Sequence, residues 1–353
     1  MKKTFYLIIV ILSLVGFTNT HAQEPINIGT TFKIHATKLK EDRTIQVYLP
    51  TSYLDTSISK QSYPVIYLLD GESNFNYLSA YVEKLSKGPY PSIPEAIIIG
   101  IPNTNRTRDL TPTKPIQMTT EQSQKIKGEM GGNINFFSFI EDDLLPYITT
   151  TYRTNGYNIL IGHSFGGITA LNYMLKDNNH FKSFIVHDPS IWWDDQYILR
   201  EYQATLQKDF KNKKLFLTQV GESENKDHLS AHYSGIQSFN SLLQNNNYKG
   251  LTYKYQQYEG EDHGSIPLKG NLDGLRYIFD DFKINFKDIV KQPTLIQDTY
   301  QKLSKELGHP FTPNEAYLKT IINYFIKNKE TEQIAPLIEY TKSIYPTFKI
   351  NNN

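Results

Sequence analysis

The sequence predicts an α/β protein with a mostly parallel sheet and helices on both faces, and three observations carry that prediction. Pro64–Asp70 (PVIYLLD) and 95–101 (EAIIIGI) are continuous apolar runs bounded by Pro or Gly, as central strands covered on both faces require. NILIG at 158–162, SFIVHD at 183–188 and KLFLTQV at 214–220 repeat that character. Between the runs lie helical patterns, the clearest over 136–152 with Phe137, Ile140, Leu144 and Ile148 on one stripe. Strands alternating with helices of this length give parallel βαβ units.

The elements follow in order. Residues 44–49 alternate Ile45, Val47, Leu49, the period of a half-buried strand, and Pro50 ends it. Pro146 lies inside the 136–152 helix pattern and is expected to kink it. Residues 251–258 read as a late strand. The stretch 103–133 has little periodicity and is rich in Thr, Asn, Pro and Gly, so it reads as a long loop flanking a site. After Pro293 the patterns become purely helical, at 295–307, 314–328 and 331–344, with Asn314 or Thr312 available as a cap.

Composition narrows the function. There are 353 residues, with 37 Lys and Arg against 36 Asp and Glu, a balance that argues against nucleic acid as a partner. Cysteine is absent, which removes disulfides, thiolate nucleophiles and Cys-ligated metals. Residues 1–22 have the form of a leader: Lys2 and Lys3, an apolar run from Phe5 to Phe17, and Thr20-His21-Ala22 before Gln23. Cleavage there yields a periplasmic or secreted protein without a membrane span, since the run falls short of the ~20 residues that spanning needs.

The chemistry centres on Gly162-His163-Ser164-Phe165-Gly166. A buried strand precedes it and a helix pattern (Ile168, Leu171, Leu175) follows, the setting of a nucleophile elbow. Glycines two places either side of the serine leave room for a strained turn that holds the hydroxyl at the sheet edge. The helix start then offers the Phe165 amide to an oxyanion. In this arrangement the base comes late in the chain, and His263 in the polar loop Glu259–Ser265 fits; His187 is a weaker alternative, and His163 packs beneath the elbow. The acid is expected after the 214–220 strand, where Glu224 is favoured and Glu222 and Asp227 also qualify; a Ser-His dyad without an acid is the alternative. A second oxyanion amide is assigned to Glu72, after Leu69-Asp70-Gly71, with its carboxylate turned away.

With these residues in place, the chain resembles the putative-esterase family of α/β-hydrolases, which includes enterobactin and salmochelin esterases. The resemblance rests on Tyr67–Gly71, Gly100-Ile101-Pro102-Asn103, Arg106, Arg108–Pro112, Phe139–Tyr147, Gly162–Gly167, Pro189–Trp193 and Gly260–Ser265, and covers about 35–285. It implies Ser164 as nucleophile, His263 as base, Glu72 and Phe165 as oxyanion donors, and Glu224 at the acid position. Where relatives often read Ser-Pro-Ser, this chain reads His187-Asp188-Pro189-Ser190, a departure expected to reshape the pocket. The tail, with Tyr300, Pro313 and Tyr345-Pro346, looks like a TPR-like extension.

The organisation expected is therefore a leader at 1–22, a hydrolase domain at 23–289 and a helical extension at 290–353 that packs on the hydrolase or mediates self-association. Arg106, Arg108, Trp192 and Trp193 are expected at the substrate, Arg for anionic or carbonyl-rich groups and Trp for stacking on rings. Ion pairing of Arg108 and core packing of one tryptophan are the structural alternatives. His228 and His232 have zinc-capable i, i+4 spacing but lack the glutamate of H-E-x-x-H, so no metal and no cofactor is assigned. The substrate is a siderophore-type lactone or a glycan-linked acyl or feruloyl ester. An inactive hydrolase-fold scaffold using the tail is the competing class.

Overall fold

In the computed structural model, residues 26–119, 126–177, 180–221, 231–280, 282 and 284–350 are described. The expected leader and Glu222, Glu224, Asp227 and His228 lie outside them. Eight strands form one sheet in the order β1-β2-β4-β3-β5-β6-β7-β8. These are β1 (Thr30–Ala36), β2 (Glu41–Tyr48), β3 (Tyr63–Leu69), β4 (Ile97–Ile101), β5 (Thr154–His163), β6 (Ser183–His187), β7 (Lys213–Val220) and β8 (Leu251–Tyr258). β2 runs antiparallel to β1 and β4, and all other neighbours are parallel. This is the α/β-hydrolase fold.

The described α-helices of six or more residues are α1 (Gly71–Ser86), α2 (Asn133–Ser138), α3 (Leu145–Thr151), α4 (Phe165–Met174), α5 (Trp193–Ala204), α6 (Ala231–Asn245), α7 (Ile266–Ile278), α8 (Leu295–Leu307), α9 (Glu315–Lys327) and α10 (Ala335–Ile344). Strand pleating divides the core into two layers. Val65, Tyr67 and Leu69 of β3 pack with Phe136, Ile168, Ile198 and Phe239, whereas Ile66 and Leu68 pack with Leu78 and Val82 of α1 and Leu275 of α7.

Most of the expected elements are present, and the departures have physical reasons. β1 was not foreseen, although Phe32, Ile34 and Ala36 alternate along it; it is an edge strand whose one apolar face is only partly covered. The expected kink at Pro146 takes the form of a π-helical turn, Phe139–Leu144, between α2 and α3. A proline lacks the N–H that an α-helix would direct to residue 142, and one wider turn absorbs the mismatch. Asn314 is the cap of α9, its side chain accepting from the Tyr317 amide at 2.6 Å.

The tail is not a free-standing appendix. Ile296, Leu303, Leu318, Ile322 and Leu337 are buried in the same core layer as Ile66, Ile98 and Ile159 of the sheet. Polar contacts seal the join: Asn314 Nδ2 donates to Glu95 (2.8 Å), the Ser59 amide to Glu315 (2.7 Å) and Asn155 Nδ2 to the Pro310 carbonyl (2.9 Å). Removing part of Ile322, which has no exposed surface, therefore disturbs a shared core. Ile322→Ala is expected to lower the unfolding free energy by about 2–5 kcal/mol. Urea unfolding should show ester turnover and helical signal disappearing together; a tail that melts separately from a still-active hydrolase would contradict the shared core.

Candidate active site

The C-terminal edge of the parallel strands gathers the candidate residues. β5 ends at His163 and α4 begins at Phe165, leaving Ser164 between them with φ 58° and ψ −114°. A non-glycine residue in that region is strained by about 1–3 kcal/mol, and neighbours hold it there. The Ser164 amide donates to the His187 carbonyl (3.0 Å), and the Ser190 amide donates to the Ser164 carbonyl (3.1 Å). Of the flanking glycines, Gly162 is the strict requirement. A Cβ there would lie 2.1 Å from the Gly166 carbonyl oxygen, whereas a Cβ at Gly166 would meet nothing nearer than Asp70 Oδ2 at 3.3 Å. Gly167 is the other tight position, 2.9 Å from Pro189.

His263 arrives from the loop between β8 and α7. Asp262 shapes this loop by accepting from the Gly264 (2.8 Å) and Ser265 (2.7 Å) amides. His263 Nδ1 lies 2.6 Å from Asp188 Oδ2, so the proton shared with the carboxylate is on Nδ1 and the Nε2 lone pair is left free. Among the described residues, the partner of the Ser164 hydroxyl is Ser190 Oγ at 3.2 Å. Catalytic hydrogen bonds commonly tighten only with substrate bound.

The carboxylate on His263 is thus Asp188, a residue that sequence reasoning placed only within a departure from the family pattern. It follows β6 directly, has a left-handed φ of 40°, and is fully buried. Burial pushes its carboxyl up, but bonds from His232 and His263 outweigh that and hold it well below the usual range. The Val220 amide also donates to its Oδ1 at 3.2 Å. The expectation of an acid after β7 came from chain order and from the family resemblance, and the residues it names, Glu222, Glu224 and Asp227, lie outside the described ones. The visible clue was an aspartate at the end of the strand beside the elbow.

The other candidates divide. Phe165 and Glu72 occupy the first turns of α4 and α1, where amides lack helical partners. The Glu72 carboxylate turns to Asn103, accepting from its Nδ2 (2.7 Å) and amide (3.2 Å). Arg106 reaches the elbow, but Asp70 holds its Nε (2.6 Å) and Nη2 (3.0 Å), and Nη2 also donates to the His163 carbonyl. Arg108 does not take the expected substrate role. Its guanidinium is committed to Glu41 (2.8 Å) and Asp109 (2.7 Å), which pins the long loop to β2. Trp193 is likewise corrected to core, 1% exposed with Nε1 donating to Thr113. Trp192 stays half-exposed beside Phe165, ring centroids 6.2 Å apart.

His187 is excluded as the base by its surroundings: it is fully buried between Thr218 Oγ1 (3.0 Å) and Asn271 Oδ1 (2.9 Å). Donor atoms of Asp188, His232 and His263 lie within 4.8 Å of one another, a set able to hold a metal ion. Here each imidazole already shares a proton with Asp188 Oδ2, so a cation would have to displace both.

Residues 36–266 match the model of the family described as "Putative esterase". The chain belongs to this family. It is an ester hydrolase. A solved IroE-like serine hydrolase from Shewanella oneidensis is 33% identical with a TM-score of 0.78, covering 90% of this chain and 99% of that one. The ferri-bacillibactin esterase BesA of Bacillus subtilis is 28% identical over 250 residues, 67% of this chain and 85% of the relative. The apo-salmochelin esterase of Escherichia coli is 25% identical over 230 residues, covering 61% and 69%. At 90% of this chain, the Shewanella likeness reaches into the tail.

Two histidines in this esterase, His187 fully buried and His163 partly so, set an acid limit on stability. Burial lowers His187 to about 4 and His163, beside His263 and His187, to about 3. Both stay neutral in the fold while the unfolded chain takes up protons near 6.5. Their contribution is fully present above pH 6.5 and is lost as the pH falls through their folded values. The urea midpoint is expected to drop steadily from pH 6.5 to 4, and His187→Gln to flatten part of that slope. A midpoint constant across the window would contradict it.

Proposed function

We propose that this protein is an exported serine esterase that opens siderophore-type lactone esters through Ser164, His263 and Asp188. The observation that carries the reading is the strained serine at the strand-to-helix turn beside a histidine whose Nδ1–H is held by a buried carboxylate. Ser164 Oγ forms the bond to the ester carbonyl carbon while His263 Nε2 takes its proton. The Phe165 and Glu72 amides stabilise the oxyanion. His263 then protonates the departing alkoxide as the C–O ester bond breaks, leaving an acyl-serine. Water, deprotonated by His263, attacks the acyl carbon; the acyl–Oγ bond breaks as His263 returns the proton to Ser164, freeing the carboxylic acid.

Asp188 keeps the imidazole in the Nδ1–H tautomer and stabilises the imidazolium, the role first assigned to Glu224. The substrate class rests on the names of the relatives, esterases of bacillibactin and salmochelin. The half-exposed Trp192, packed near the buried Phe165, offers a ring suited to a catecholate. Export rests on the leader-like residues 1–22; among the described residues no helix is long and apolar enough to cross a membrane.

Residues 23–353 should turn over p-nitrophenyl acetate and butyrate, and Ser164→Ala should abolish turnover together with fluorophosphonate labelling. Between an iron-loaded catecholate trilactone and acetylated xylan, the trilactone is expected to give the higher kcat/KM by at least about a hundredfold. Wild-type turnover in Ser164→Ala overturns the mechanism, and preference for xylan overturns the substrate.

A further inference from the structure

Asp188 serves two histidines. His232, at the start of α6, places Nε2 2.8 Å from the same Oδ2 that His263 uses. The two rings stand nearly perpendicular, with centroids 5.2 Å apart. On the far side of His232, Trp192 Nε1 lies 3.1 Å from its Nδ1. An indole N–H can only donate, so Nδ1 of His232 must be the acceptor. A neutral imidazole then carries its single proton on Nε2, aimed at Asp188. The contact with Trp192 thereby fixes the tautomer of His232.

We infer that His232 is a positioning residue for ester hydrolysis: locked by Trp192, it donates to Asp188 Oδ2 and holds that carboxylate in the orientation His263 requires. The inference rests on the reading of Asp188 as the acid. A carboxylate bonded only by the Val220 amide and a half-exposed, loop-borne His263 has a rotational freedom that the His232 bond removes. The same bond adds to the stabilisation of a charge buried completely in the protein. Trp192 is also half-exposed beside the elbow residue Phe165, so the lock begins at a partly exposed ring next to the elbow and ends at the base. The geometry argues against a resident cation here, since a metal on His232 Nε2 would need that nitrogen stripped of its proton while Trp192 holds the other.

Steady-state kinetics with p-nitrophenyl butyrate, on enzyme whose competent sites are counted by fluorophosphonate titration, tests this. His232→Ala should lower kcat per titrated site roughly tenfold or more, with KM within about twofold, as loss of an orienting partner does. His232→Gln, whose amide can donate to Asp188, should recover most of the loss. Trp192→Phe keeps the aromatic face and should lower kcat alone, and the double variant Trp192→Phe/His232→Ala should be no worse than His232→Ala. Unchanged kcat in His232→Ala overturns the inference. So does a loss that His232→Gln does not relieve, because that marks bulk rather than a hydrogen bond. Additive losses in the double variant overturn the link to Trp192. Asp188→Asn is the reference: if it remains active, the reading of Asp188 has failed, and if it collapses while His232→Ala does not, only this inference has.

Discussion

The site depends on continued pairing between β5 and β6 beyond the ends of the two strands. The Ser164 amide bonds the His187 carbonyl and the Ser190 amide bonds the Ser164 carbonyl, so the elbow is laced to the segment that carries Asp188. Two backbone hydrogen bonds at 3.0 and 3.1 Å set the nucleophile and the carboxylate in one register. The strain at Ser164 is supported by the same lacing and by the close passage of Gly162 under Gly166. A side chain at Gly162 would push α4 off the strand end and separate the two groups. Elbow geometry and acid placement are in this sense one constraint.

From that register the remaining polar groups fall into layers. Asp188 gathers His263 and His232, and His232 gathers Trp192. On the other side of the elbow, Asp70 gathers Arg106 and Asn103, and Arg106 reaches back to the His163 carbonyl. Further out, the buried pair of Arg43 and Asp109, joined by Arg108 and Glu41, anchors the start of the long loop to β2. Removing one partner from a buried pair leaves an uncompensated charge. The arginines near the site thus stabilise the architecture from which a substrate cleft is built.

How much of this was legible in sequence follows from the kind of signal each residue left. The central strands were legible because short, continuous apolar runs bounded by Pro and Gly suit a strand covered on both faces and are too short for a buried helix. The three tail helices were legible because their stripes are regular and Asn314 caps one of them. Ser164 and His263 were legible through local chemistry, a glycine-flanked serine after a strand and a histidine in a polar loop. Edge strand β1 left a weaker trace, a short alternation of Phe32, Ile34 and Ala36 interrupted by exposed polar residues. Asp188 was hidden for a different reason: its function depends on which strands lie side by side, and spacing along the chain does not reveal that. The fates of Arg108 and Trp193 were likewise decided by partners far away in sequence, Glu41 and Thr113. The family likeness pointed to an ester and to Glu224 after β7, whereas the carboxylate on His263 comes from the neighbouring strand end, β6.

The account turns on Asp188 as the group that orients His263. The rate at which Ser164 reacts with a fluorophosphonate measures its activation without reference to any particular substrate. Asp188→Asn is predicted to slow labelling by on the order of 10³–10⁴-fold, as the wrong imidazole tautomer does in a serine hydrolase, while Glu224→Gln labels at the wild-type rate. Normal labelling in Asp188→Asn, with the loss appearing in Glu224→Gln, would contradict it and return the acid to the loop after β7.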